Sequence, residues 1–124
     1  MRDNSSTLEE LRRRVTEAHT YLRIDQAREE MTQLESRAAS PDLWNDQEEA
    51  RKITGRLANV RDDIERWEKV RNEVDDATTL DLLAREKGDE LLTEEIDIAI
   101  SSISNQLDDI ELLALFNGEH DEND

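Results

Sequence analysis

Apolar residues recur every three or four positions along most of the chain, and the pattern predicts helices throughout. Leu8, Leu11, Val15, Ala18 and Leu22 line one helical face. Ser6 with Glu9, and Thr7 with Glu10, have the capping-box spacing that opens such a helix. Ala27, Met31, Leu34 and Ala38 form a second stripe, with Asp25 as its candidate N-cap. A break or kink is expected between the two, in "TYLRID". Ser40-Pro41 ends the second helix, because the residue before a proline is pushed out of the helical region and proline cannot donate. Asn45 or Asp46 then caps the next helix, with Glu48 and Glu49 suited to its first turn.

From Asp46 to Val74 the pattern is a heptad seam: Ala50, Ile53, Leu57, Val60, Ile64, Trp67 and Val74, interrupted at Arg71. A helix over this stretch would be about 45 Å long. "DDATTL" offers new cap candidates, so a break is expected there, with a short helix over Leu80 to Lys87 ending at Gly88. The last helix is expected from Asp89 to Phe116. Its stripe is Leu92, Ile96, Ala99 or Ile100, Ile103, Leu107, Ile110 and Ala114, and Asn117-Gly118 is its terminator. Two long seams joined by a short reversal pack antiparallel at a shallow angle. The fold expected is therefore all-α: an elongated antiparallel helical bundle with coiled-coil-like long helices, residues 1–116, followed by an acidic linker, 117–124. An open coiled coil completed by a second copy is the other arrangement.

Composition narrows the picture. Charged residues make up 40% of the 124 and aromatics 3%, with one proline and no cysteine. Such a chain lacks the β-branched and aromatic runs that strands need. A net charge of −17 opposes general nucleic-acid binding. "LRRRV", Leu11 to Val15, is the densest basic stretch and reads as a solvated helix face. No disulfide, membrane span or signal-peptide core is readable, and the chain is expected to be soluble, cytoplasmic and monomeric.

Chemistry is sparse. His19 and His120 stand apart with no cysteine or second histidine at metal-binding spacing, and both read as surface residues. "GEHDEND" lacks calcium-loop spacing, and there is no Gly-rich phosphate loop. No cofactor, metal, small-molecule ligand or catalytic residue is expected. Trp67 reads as core. Trp44, beside the turn, is expected to be largely buried, closing the bundle end together with Leu43 as a hydrophobic staple; an exposed ring that docks on a partner is the alternative.

The turn "SPDLWNDQEEARKI" resembles a segment of the bacterial peptide chain release factor 2 family, where a Pro-Asp-aromatic-Trp-Asn-Asp motif precedes a long helix. Pro41, Asp42, Trp44, Asn45 and Asp46 match it, and Leu43 takes the aromatic position. "YLRID" and the exit "LLALFNGEHDEND" are similar too, and the resemblance runs from about Leu8 to Asp124. The sister factor, release factor 1, differs at this turn. The resemblance implies the N-terminal helical domain of a factor that terminates translation at UAA and UGA. In that family the domain positions the factor at the large-subunit stalk base of the ribosome and is linked to the recycling GTPase. Codon reading by Ser-Pro-Phe and hydrolysis by Gly-Gly-Gln belong to other parts of the family's chain. Ser40-Pro41-Asp42 departs from that tripeptide, and no Gly-Gly-Gln is present. Without the resemblance, the residues fit an acidic coiled-coil scaffold or a holdase.

Overall fold

One helix organises the structure. Helix α3, Gln47–Lys87, runs unbroken for 41 residues, about 60 Å. The computed structural model describes residues 4–122, with side chains to Phe116. Helix α1, Ser5–Tyr21, and helix α2, Ile24–Ala38, follow one another antiparallel to α3. A 3-10 turn, Pro41–Asn45, reverses the chain into α3. Helix α4, Glu90–Glu122, then folds back along the C-terminal half of α3. All regular structure among the described residues is helical, and none of these helices is long and apolar enough to cross a membrane.

The core divides along α3. Its C-terminal half packs against α1 and α4, where Trp67, Val70, Val74 and Ala77 meet Leu8, Leu11, Val15 and Ala18, with Ile103, Leu107 and Ile110 closing the third side. Its N-terminal half packs against α2 and the 3-10 turn, where Ala50, Ile53, Leu57, Val60 and Ile64 meet Leu34 and Leu43. Ile96 is buried at the hairpin end of α4.

The seam of α3 changes phase where the two cores meet. Buried positions run 53, 57, 60, 64, 67 in alternating steps of four and three. They then take a second step of three, to Val70, and continue through 74, 77, 81 and 84. An extra step of three rotates the buried stripe around the helix. This accounts for Arg71, which the simple heptad places in the seam: Val70 is buried instead, and the Arg71 guanidinium lies 4.9 Å from the Trp67 ring centroid.

Several boundaries differ from those expected. Asn4, not Ser6 or Thr7, precedes α1, and its carbonyl accepts from the Leu8 N–H at 2.9 Å. The α1–α2 break falls at Leu22–Arg23, and α2 already includes Asp25. Arg23, at φ 53°, supplies the left-handed residue that turns the chain, and the Ala27 N–H donates to its carbonyl at 2.8 Å. The break expected at "DDATTL" is absent. Ala77 is buried in the core, and the Thr78 and Thr79 hydroxyls donate to the Val74 and Asp75 carbonyls one turn back, so these residues stay helical. Gly88 ends α3 at φ 63°, a conformation in which a Cβ would be strained. Asn117-Gly118 does not terminate α4, which continues to Glu122. A helix-interior glycine costs about 1 kcal/mol, too little to stop a long helix by itself.

Candidate interaction surface

The reversal between α2 and α3 holds the five motif residues. Pro41 begins the 3-10 turn, where its fixed φ fits and its missing N–H costs nothing. Asp46 caps α3, its carboxylate accepting from the Glu49 N–H at 3.2 Å. The large ring is not buried. Trp44 is 57% exposed, and the apolar plug is Leu43, 8% exposed among Leu34, Ala50 and Ile53. The expectation that Trp44 closes the bundle end is thus corrected. Only one of two successive residues in this turn reaches the core. The Trp44 indole instead lies over the end of α2, its N–H donating to the Ala38 carbonyl at 3.1 Å. That carbonyl is close to the helix end, where intrahelical donors run out. Pro41, Asp42, Asn45 and Asp46 are exposed beside it. The turn therefore presents an aromatic face, a proline and two carboxylates to solvent.

A second cluster surrounds Trp67, 5% exposed at the level of the α1–α2 break. Its indole N–H donates to the Val15 carbonyl at 2.9 Å, across 52 residues. Arg28 and Arg71 lie 5.7 and 4.9 Å from its ring centroid, within cation–π range. His19, expected on the open surface, is half-buried edge-on to this ring at 5.0 Å, with its Nε2 3.4 Å from Asp25. Spacing along α1 could not reveal that contact, because the ring comes from α3. The cluster locks three helices together and has the makings of a structural joint.

Beside this joint lies an open cleft where α4 ends its cover of α3. Tyr21, Arg23, Glu30, Arg56, Asp63 and Leu115 are among its lining residues. Arg56 forks onto Glu30 at 2.7 and 2.8 Å, which holds the Glu30 carboxyl below its ordinary value and the guanidinium above its own. Burial raises the Asp63 carboxyl, and burial with nearby Glu111 raises the Tyr21 phenol. Arg14 reaches from α1 to α4, gripping Glu111 at 2.7 and 2.9 Å and Asp108 at 2.9 Å. Hydrogen bonding to Glu111 foremost holds its proton more tightly still.

The other buried seam positions, Ile53, Leu57, Val60, Ile64, Val74, Ile103, Leu107 and Ile110, pack in the two cores, Ile96 is buried nearer the hairpin, and of these only Val60 and Ile110 also border the cleft. Among the described residues no cluster of His, Asp or Glu could hold a metal ion. His120 and the acidic side chains of 117–124 lie outside the described side chains. The features that remain for recognition are the Trp44 turn, the cleft, and apolar side chains left exposed on α4.

These features define a helical strut, all-α among the described residues. The chain belongs to the PCRF domain family, whose match covers residues 27–124. It is 35% identical over 122 residues to peptide chain release factor 2 of Frankia casuarinae, covering 98% of this chain and 32% of that protein. It is 31% identical over 119 residues to peptide chain release factor 2 of Streptomyces avermitilis, covering 96% and 32%. With peptide chain release factor 2 of Rhodococcus jostii it shares 31% over 122 residues, covering 98% and 33%. The chain spans about a third of the length of these relatives.

Proposed function

We propose that this chain is a helical positioning domain of a peptide chain release factor of the factor 2 type. It acts in the cytoplasm in translation termination and performs no hydrolysis itself. The observation that carries this reading is the match of residues 27–124 to the PCRF domain, together with near-complete coverage of the chain by relatives named peptide chain release factor 2. The architecture supports a mechanical role. A continuous α3 with struts on both halves holds surfaces at its ends at a fixed separation of about 60 Å. On this reading the domain docks at the large-subunit stalk base, serves the recycling GTPase, and works as a monomer joined through 117–124 to the codon-reading and catalytic parts of a longer factor.

Large ribosomal subunits with and without their stalk-base protein provide the test. The purified chain should cosediment with intact subunits and lose most of that binding when the stalk-base protein is absent. Equal recovery with both preparations overturns the docking reading. Stop-dependent peptidyl-tRNA hydrolysis by the chain alone overturns the assignment of catalysis to other parts of the factor.

A further inference from the structure

Helix α4 carries two apolar faces. One, through Ile96, Ile103, Leu107 and Ile110, is buried. The other holds Leu91, Ile98 and Leu112, at intervals of seven and fourteen residues, and these are 71%, 70% and 55% exposed. Heptad spacing places them on one stripe, and Phe116, a turn beyond Leu112, extends it. Isolated exposed apolar residues need no explanation, but a stripe of them along a helix marks a contact surface.

Charge indicates what covers it. Residues 88–124 contain twelve Asp and Glu and no Lys or Arg, leaving a net −5 for residues 1–87. Glu94 and Glu95 lie beside the stripe between Leu91 and Ile98, Asn105 takes the heptad position between Ile98 and Leu112, and before Leu112 Asp109 lies on the stripe itself with Asp108 beside it. All four acidic residues are exposed, and Arg14 answers only Asp108 among them. A phosphate backbone is repelled by this face, and so is the same face of a second copy. An amphipathic helix fits both features when leucine-like residues follow heptad spacing and lysine or arginine flank them.

We propose that the outer face of α4 is a docking site for a basic amphipathic helix of another protein. Leu91, Ile98 and Leu112 supply the apolar seam, and Glu94, Glu95 and Asp109 select for positive charge. This assignment stands on the α4 surface and does not require the role in termination.

The test uses the 124-residue chain and a 21-residue helical peptide with leucines at one heptad position and lysines flanking them. A control peptide of identical composition has the leucines scattered around the helix. Amide shifts on titration should concentrate on α4 between residues 91 and 112. The striped peptide should bind at least tenfold more tightly than the control at 100 mM salt, and both should weaken at 500 mM. Ile98→Ser and Leu112→Ser together should cost tenfold in affinity with the melting temperature unchanged. Equal binding of the two peptides would reduce the effect to bare charge and overturn the proposal. So would shifts centred on the cleft, an Ile98-dependent dimer in sedimentation equilibrium without peptide, or a longer polypeptide carrying this domain in which its own chain already blocks the peptide.

Discussion

Replacing each tryptophan by alanine separates the two rings by energy. Trp67 is 5% exposed, touches both α1 and α2 from α3, and donates its indole N–H to the Val15 carbonyl. Large-to-small changes at such sites lose both transfer energy and the contacts around the cavity left behind, typically about 3–5 kcal/mol for Trp→Ala. Trp44 is 57% exposed, so it gives up less than half its surface on folding. Its removal leaves a notch that water fills, with no enclosed cavity, and the lost bond to Ala38 is a solvent-facing one worth about 1 kcal/mol. Trp44→Ala should therefore cost about 1–1.5 kcal/mol, and Trp67→Ala about 2–3 kcal/mol more. At a urea slope of about 1.5 kcal/mol per molar, the two midpoints should differ by about 1.5–2 M. Fluorescence follows both melts, since each variant keeps one ring: the remaining Trp67 should emit to the blue of the remaining Trp44. Equal midpoints, or a larger loss at Trp44, would refute the placement of Leu43 as the plug and of Trp44 as a surface ring.

Gly55 lies within α3 with nothing within 4 Å of the point to which a Cβ would project, so Gly55→Ala should raise stability by about 0.5–1 kcal/mol, read in the same melts. Gly88→Ala places a Cβ at φ 63° and should cost about 1 kcal/mol by the same measurement. Arg56 favours the ionised form of Glu30, so this contribution is complete above the ordinary value of 4.5 and fades as pH falls through the lowered folded value. The pair is surface-exposed and worth about 0.5 kcal/mol, so Glu30→Gln should leave stability at pH 7 lower by that amount and flatten its decline below pH 4.5. Arg14→Ala should loosen α4 from α1 at a cost of about 1–2 kcal/mol, visible as faster amide exchange around Asp108 and Glu111.

The helical class and the stripes of α1, α2 and α4 were legible because an apolar residue every three or four positions has one economical solution in water. Gly88 was legible as a helix end because only a left-handed residue fits there. The continuity of α3 was not. Asp75, Asp76, Thr78 and Thr79 read locally as caps, and only the packing of Ala77 and Val74 against α1 shows why they remain inside a helix. The phase change at Val70 escaped for a related reason: the partner of α3 switches from α2 to α1 and α4, and that switch is a property of the assembled bundle. At the turn, the motif residues were visible by type and spacing, but which of Leu43 and Trp44 points inward depends on the 3-10 geometry. The Tyr21–Glu30–Arg56–Leu115 cleft draws on four helices, and no window of sequence contains it.

The unequal support along α3 has a mechanical consequence. Resistance to bending grows steeply with the cross-section of a beam, and the C-terminal half of α3 is one layer thicker than the N-terminal half because α4 lies alongside it. A lateral load on the Trp44 end should therefore be resisted least where the core of α1 and α4 gives way to that of α2, below the Trp67 joint.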